Sequence, residues 1–336
     1  MKKNTKFASA NDIRPDSVTN TEKIQEAFDK DFQWILDRKS LLIPVCCPVC
    51  EGENSKATIE KFPIEYELCA TCDTLYQKMR FPEELLGEYY ANSAIMEYFG
   101  KYIFPASEEN RREKIYRPRV DRLLEISSRY GAKYGLCVEV GAGSGVFLHE
   151  MNQRKVFDRI VAIEPARSLA ESCRNFGLET FEMPVEKMSR MDADVVVSFE
   201  VIEHLFSPEK FLQDMYNILS ENGMCFLTTP NSKSFEVREL GSRSTTLGFT
   251  HLNLFTPESL SFLATRVGFE VLEVTTPGIL DVDLVKRGYN EKATLQRSPF
   301  IQYLVEEASQ EQKDNFQQFL MENNLSSHMW IALRKI

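Results

Sequence analysis

The chain has 336 residues, 43% of them apolar and 27% charged, and a net charge of −10. That is enough apolar residue for one large domain plus a smaller module, and the acidic balance excludes a global attraction to nucleic acid or to an anionic membrane. No apolar run reaches the ~20 residues needed to span a bilayer, and no apolar segment follows the basic start Met1-Lys2-Lys3, so a soluble, cytoplasmic protein is expected.

Residues 1–20 are polar and aperiodic and read as a loose arm. Residues 21–39 read as an amphipathic helix with Ile24, Phe28, Phe32 and Ile35 on one stripe, so the arm and helix fill 1–40. A module over 41–80 follows, marked by Cys47-Pro48-Val49-Cys50 and, eighteen residues later, Cys69-Ala70-Thr71-Cys72. Two C-x2-C knuckles at this separation are a strong metal signal. Each knuckle turns both of its sulfurs toward one point, and four thiolates close a tetrahedron around zinc. Disulfides are the weaker reading without a secretory signal. Cys46 is left out because Cys47 gives the x2 spacing. Four cysteines leave no open coordination position, so the zinc is expected to be structural. The stretch Glu51–Leu68 carries five Glu against two Lys, which disfavours gripping phosphates. A folding staple or a wall of the substrate cleft fits better.

Residues 81–130 read as a helical connector, with Pro82 at a helix start. Its tyrosines, Tyr89, Tyr90, Tyr98, Tyr102 and Tyr116, suit either a lid over a cofactor or packing between modules.

From 131 to 336 strands and helices alternate. Strands are expected at Leu136–Val140, Arg159–Glu164, Leu178–Glu182, Asp194–Glu200, Met224–Thr229, Phe269–Thr275 and His328–Arg334. Helices fit between them at Val146–Arg154, Ala166–Phe176, Pro208–Ser220 and Pro257–Val267. The strands are near-continuous apolar runs, as expected when both faces of a sheet are covered. Alternation with right-handed crossovers makes a doubly wound α/β sheet, which binds ligands beyond the carboxyl ends of its strands. Cys137, Cys173 and Cys225 fall in or near these elements and read as small buried hydrophobes.

The first strand ends in Glu139 and enters Gly141-Ala142-Gly143-Ser144-Gly145. Glycines there let a backbone approach a ligand without Cβ clashes, and N–H groups at the next helix start meet an anionic group. The second strand ends in Glu164, placed to take both hydroxyls of a ribose. Glu139 sits where a pyrophosphate is repelled and an ammonium is held. The turn is G-x-G-x-G, because residue 146 is Val. Together these favour S-adenosylmethionine over NAD.

These motifs resemble the class I S-adenosylmethionine-dependent methyltransferases. The matching pieces are Glu139–Gly145, Ile163-Glu164-Pro165, Ser198–Leu205 (Ser-Phe-Glu-Val-Ile-Glu-His-Leu) and His251–Leu260 (His-Leu-Asn-Leu-Phe-Thr-Pro-Glu-Ser-Leu). With the zinc ribbon ahead of them, they are similar to a bacterial subgroup that includes sugar and natural-product methyltransferases. The resemblance implies a seven-stranded Rossmann-like sheet whose last strand, here Met329–Arg334, is antiparallel. It also implies that Gly141, Gly143 and Gly145 line the methionine part and that Glu164 holds the ribose, with Ala142 and Pro165 also in the cofactor-binding set. Val185 and Glu186 then flank the adenine, with Phe199 and Glu200 completing the cofactor set. The sugar C-methyltransferases usually carry a further carboxyl-terminal domain. Here only an insert, 278–327, precedes the last strand, with a helical, charged part at Phe300–Leu320.

Methyl transfer needs alignment and exclusion of water, and a base when the acceptor is a hydroxyl or an acidic carbon. His204 and His251 are the candidate catalytic bases, each also readable as a structural histidine. Glu200, Glu203 and His204 resemble a divalent-metal constellation of ubiquinone-type O-methyltransferases, although E-x2-E-H also occurs without metal. His149 reads as packing. The segment Pro230–Thr250 reads as irregular, and its Lys233, Arg238 and Arg243 suit an anionic acceptor. The expected function is a methyltransferase for a small-molecule acceptor such as a sugar or sugar nucleotide. An RNA methyltransferase gripping its substrate through the ribbon, and a non-catalytic zinc-stabilised binding protein, are the alternatives. The acidic inter-knuckle stretch opposes the first, and the intact glycines and acids oppose the second.

Overall fold

A computed structural model describes residues 9–19, 21–290 and 298–336. Thirteen strands are found among them. The amino-terminal module contributes β1 (Ile43–Pro44), β2 (Ser55–Lys61), β3 (Ile64–Cys69), β4 (Leu75–Gln77) and β5 (Met79–Arg80). The remaining chain contributes β6 (Leu136–Val140), β7 (Arg159–Ile163), β8 (Glu179–Phe181), β9 (Ala193–Phe199), β10 (Leu219–Pro230), β11 (Asn253–Leu254), β12 (Phe269–Thr275) and β13 (His328–Lys335).

Seven strands form one sheet in the order β12-β13-β10-β9-β6-β7-β8. The pairs among β6, β7, β8, β9 and β10 are parallel, and β13 runs antiparallel between β10 and β12. This is the doubly wound sheet with an antiparallel last strand that the sequence leads one to expect. The alternation along β9 shows why it is buried on both faces. Val195, Val197 and Phe199 pack with the helices Arg117–Arg129 and Val146–Gln153, while Val196 packs with Pro208–Ile218 and Pro257–Val267. The carboxyl ends of β6 and β9, adjacent at the sheet centre, carry the acids discussed below.

The ribbon is joined to this domain. Its sheet runs β11-β4-β3-β2, so β11, supplied by residues 253–254, is its edge strand. The fully buried Arg80 extends the junction, donating to the Leu252 carbonyl at 3.3 Å and to Asn253 Oδ1 at 3.2 Å.

Two expectations differ in detail. The helix Glu22–Arg38 forms, but its buried face is Ile24, Ala27, Asp31 and Ile35, and Phe28 and Phe32 are exposed. Asp31 takes the inward position because its carboxylate caps the helical segment that begins at Ala94. It accepts from Ser93 Oγ at 2.5 Å, from the Ala94 N–H at 2.8 Å and from Tyr89 Oη at 3.0 Å. The segment Pro230–Thr250 is more regular than expected. Ser234 caps a helix over Phe235–Leu240, and a 3-10 turn follows at Gly241–Arg243.

Candidate active site and ribbon cluster

The two knuckles are built alike. In each, the N–H four residues after the first cysteine donates back to that cysteine's carbonyl (Glu51 to Cys47, 2.9 Å; Asp73 to Cys69, 3.2 Å). The cysteine N–H in turn donates to the carbonyl five residues on (Gly52, 3.0 Å; Thr74, 2.9 Å). Glu51 and Asp73 close the turns at φ 59° and 62°. The result brings the sulfurs of Cys47, Cys50, Cys69 and Cys72 within 4.8 Å of one another, with Cys47–Cys72 at 3.5 Å and Cys50–Cys69 at 3.4 Å. A disulfide is about 2.05 Å long, whereas zinc–sulfur bonds of about 2.3 Å place tetrahedral sulfurs about 3.8 Å apart. The four thiols therefore fit zinc and not two disulfides. Cys46 is exposed and outside the cluster.

The glycine turn docks on the end of β7. Gly141 and Ala142 both donate to the Ile163 carbonyl, at 2.9 and 3.2 Å, and Gly145 donates to Ala142 at 3.0 Å. Gly141, Gly143 and Gly145 all have φ between 55° and 81°. A Cβ at 141 would lie 2.7 Å from Val201 Cγ2, and one at 145 would lie 2.9 Å from Cys173 Sγ. A Cβ at 143 would meet nothing within 4 Å. Positions 141 and 145 are therefore glycine for packing, and 143 faces open space.

Both strand-end acids are buried. Glu164 accepts from the Gly143 N–H at 2.8 Å and from the Ala166 N–H at 2.9 Å, one bond per oxygen. Each oxygen keeps a lone pair for a hydroxyl. Burial pushes its carboxyl up, and the two N–H donors oppose the shift. Burial pushes Glu139 up further; the nearby Arg119 charge opposes this and Glu164 adds to it. Glu139 Oε2 has no partner among the described residues. A buried, unpartnered carboxylate oxygen calls for a cationic donor, and the ammonium of S-adenosylmethionine has that chemistry. The residues present thus fit the cofactor: an acid for the ammonium, an open glycine, and a second acid for the ribose.

At the end of β9 the backbone turns through Glu200 at φ 57°. Its carboxylate accepts from Thr228 Oγ1 at 2.7 Å and pairs with His328 Nδ1 at 3.1 Å, with Arg119 at 3.9 Å. Burial alone would raise the Glu200 carboxyl, but His328, Arg119 and Thr228 outweigh it and hold it well below the usual range. Three residues on, Glu203 is buried. Its Oε2 accepts from Thr229 Oγ1 at 3.1 Å, and its Oε1 has no partner among the described residues. His204 Nδ1 lies 2.8 Å from the Thr250 carbonyl, and His251 Nδ1 lies 2.7 Å from the Thr246 carbonyl. A carbonyl only accepts, so both rings carry the proton on Nδ1 and leave Nε2 as a lone pair. Burial lowers both imidazoles, His251 to about 3. The two rings lie 4.8 Å apart.

The His251 segment is held by the ribbon. Tyr66 Oη, on β3, donates within 2.7 Å of the Gly248 carbonyl and 2.6 Å of the His251 carbonyl. Gln77 Nε2, on β4, lies 3.0 to 3.1 Å from the carbonyls of Gly248, Phe249 and His251.

The structure thus gathers His204 with His251, and Glu139 with Glu164 beside the glycine turn. Val185 is buried, and Glu186 beside it is exposed. The trio Glu200–Glu203–His204 is not what converges. Glu200 is engaged by His328, and the third donor grouped with Glu203 and His204 is His251. The expected anion-binding basic residues are otherwise employed. Lys233 pairs with Glu258 at 3.0 Å, and Arg243 donates to the Leu240 carbonyl and lies over the Tyr289 ring. Most of the connector tyrosines pack or bond within the helical layer, as Tyr89 does with Asp31 and Tyr98 with Thr21. Tyr90 instead reaches His204, 3.3 Å from its Nδ1. His149 packs on Phe176, as expected. Two residues were not singled out from sequence. Arg119 stacks on Phe199 at 4.5 Å, and no local pattern marks it. His328 begins the antiparallel strand, opposite Pro230. That position had a signal, because an antiparallel strand starts where its parallel neighbours end.

Residues 108–274 match the family model for a methyltransferase domain. The chain is 28% identical over 143 residues to a probable S-adenosylmethionine-dependent methyltransferase of Mycolicibacterium smegmatis, covering 40% of this chain and 53% of that protein. It is 25% identical over 259 residues to the C-methyltransferase NovU of Streptomyces niveus, covering 74% of this chain and 57% of that protein. The chain thus spans little more than half the length of these two relatives. A solved S-adenosylmethionine-dependent methyltransferase from Archaeoglobus fulgidus superposes with a TM-score of 0.46 at 16% identity, covering 70% of this chain and 100% of that one. No described helix is long and apolar enough to cross a membrane. The family match falls on the segment that holds the glycine turn, both strand-end acids and both histidines, and this chain therefore carries a methyltransferase domain of the S-adenosylmethionine-dependent class.

Proposed function

We propose that the protein transfers a methyl group from S-adenosylmethionine to a small-molecule acceptor of a glycan or natural-product pathway, a sugar, a sugar nucleotide or a related metabolite. The observation that carries the reading is the placement of two sets of groups at the carboxyl ends of adjacent strands. Glu139, Gly143 and Glu164 form a cofactor cradle, and Glu203, His204 and His251 form a separate polar cluster after β9. The similarity to a C-methyltransferase supports the acceptor class.

When bound, S-adenosylmethionine supplies a methyl already activated by its sulfonium. In this reading Glu139 holds the ammonium and Glu164 the ribose. Gly141, Ala142, Gly143 and Gly145 let the backbone close on the methionine part, with Pro165, Val185, Glu186, Phe199 and Glu200 around the rest. The neutral imidazoles of His204 and His251 offer Nε2 to the acceptor side. The four ribbon cysteines hold a structural zinc, and through Tyr66 and Gln77 the ribbon sets the position of His251.

Calorimetry with S-adenosylmethionine, S-adenosylhomocysteine and NAD tests the cofactor, and methyl transfer from labelled donor to a panel of nucleotide sugars tests the acceptor. Binding of the two adenosyl ligands and not of NAD is expected. Tight NAD binding without response to the other two overturns the reading.

A further inference from the structure

One donor atom from each of Glu203, His204 and His251 lies within 4.8 Å of the other two. Thr250 and Thr246 carbonyls occupy both Nδ1 protons, so each ring is left with a lone pair at Nε2. Glu203 is 1% exposed, and its Oε1, without a partner among the described residues, lies 3.8 Å from His204 Nε2. That is too long for a hydrogen bond. Glu203 Oε1, His204 Nε2 and a ring nitrogen of His251 are therefore grouped around one spot, and no donor among the described residues reaches Glu203 Oε1. A buried group of this kind is stable only with a proton or a cation among its members.

We propose that Glu203, His204 and His251 bind a divalent first-row transition-metal ion whose open positions take oxygens of the acceptor. The second half rests on the methyltransferase reading; the metal site itself does not. Two neutral imidazoles and one carboxylate suit such an ion better than magnesium, which prefers an all-oxygen shell. A backbone carbonyl on the far nitrogen of each ring is the arrangement that fixes a metal-binding histidine. Donors bonded at about 2.1 Å sit about 3 to 3.5 Å apart, so the 3.8 Å gap closes by a small side-chain rotation. Three protein ligands leave positions free, unlike the closed four-cysteine site. In the loaded state the histidines are ligands, and the ion holds the acceptor against the methyl donor. Glu200 is outside the ligand set, because His328 and Thr228 hold its carboxylate.

The test uses full-length protein carrying one zinc per chain, titrated with Co2+. Cobalt on nitrogen and oxygen donors shows visible d–d bands without the intense thiolate charge-transfer absorption that entry into the ribbon would produce. One additional cobalt per chain is expected. His251→Ala and Glu203→Gln should weaken it about a hundredfold or more, and Glu200→Gln should leave it in place. Far-UV circular dichroism and a cooperative thermal transition confirm that each variant is folded. Should Glu203→Gln not fold, His251→Ala, which alters a partly exposed side chain, decides alone. Absence of the additional cobalt in the zinc-loaded wild type overturns the proposal. So does a site that survives His251→Ala and is lost in Glu200→Gln. If cobalt binds as expected but S-adenosylhomocysteine does not bind the wild type, the methyltransferase reading fails and the metal site stands.

Discussion

Alanine at 143 and at 145 should separate cofactor binding from stability, although both glycines share the left-handed conformation, at φ 55° and 81°. An L-residue there costs roughly 1–2 kcal/mol, offset by about 0.4–1 kcal/mol from the stiffer unfolded chain. Gly143→Ala ends there, since its Cβ meets nothing within 4 Å, and it should lose about 1 kcal/mol. Gly145→Ala adds a clash. Its Cβ would lie 2.9 Å from Cys173 Sγ, 3.1 Å from Cys173 Cα and 3.1 Å from Leu178 Cδ1. A backbone atom cannot rotate away, so overpacking adds about 1–3 kcal/mol. The variants should differ by about 2 kcal/mol, or about 3 °C in Tm for a chain of this length. The order reverses for ligand. The methyl at 143 projects where the cofactor is expected and should weaken S-adenosylhomocysteine by about tenfold or more, 1.4 kcal/mol per decade. Differential scanning fluorimetry of ligand-free protein and calorimetry of the complex give the two readouts. Equal melting temperatures, or full affinity in Gly143→Ala, would refute the reasoning.

Glu139→Gln, which keeps size and removes the charge, should weaken S-adenosylmethionine by about 1.5–3 kcal/mol, the worth of a bond to a charged group. Unchanged affinity by calorimetry would show that the ammonium lies elsewhere. Gln77→Leu should leave S-adenosylhomocysteine binding intact while lowering kcat, because it releases the carbonyls of Gly248, Phe249 and His251; a parallel loss of cofactor affinity would contradict a positioning role. Cys69→Ser/Cys72→Ser should lose the one zinc per chain and lower Tm, and elemental analysis showing the metal retained would rule out this cluster as its site. The Glu200–His328 pair makes stability depend on pH. His328 is raised above 6.5 by the Glu200 charge against the opposing effect of its own burial, so its contribution is full below pH 6.5 and is lost as pH rises through the folded value. Glu200 is depressed, so its contribution is present above about pH 4.5 and is lost as pH falls. Melting temperature should therefore fall on the alkaline side of about pH 6.5, and His328→Gln should flatten that limb. An identical profile in the variant would show that the pair is silent.

What the sequence showed plainly was whatever depends on local pattern. The seven strands, the glycine turn with Glu139 and Glu164, and the two knuckles follow from apolar runs, backbone freedom and thiol spacing, each set within a few residues. The helix Glu22–Arg38 was legible, but its buried face was not. Asp31 turns inward because a helical segment more than sixty residues away needs a cap, and no window along the helix contains that partner. The basic residues at 233–243 suggested an anion site because composition does not reveal that Glu258 and two backbone carbonyls already engage Lys233 and Arg243.

The same limit shaped the reading of the polar cluster. Along the chain Glu200, Glu203 and His204 are neighbours, and their spacing suggests one constellation. In space they take different partners, although the Glu200 charge still acts on Glu203 and on both rings. Glu200 meets a histidine 128 positions later, on the strand that enters antiparallel beside β10. Glu203 and His204 meet His251, which is presented by a segment tied to Tyr66 and Gln77 of the ribbon. The ribbon's edge strand, β11, begins two residues after His251, so the position of the histidine is tied to the ribbon sheet. A zinc module that only stabilised the fold could be docked anywhere on it. This one is paired to the backbone that carries a candidate catalytic group, so its metal should govern the geometry of the acceptor side while leaving Glu139 and Glu164, on the far side of β9, where they are.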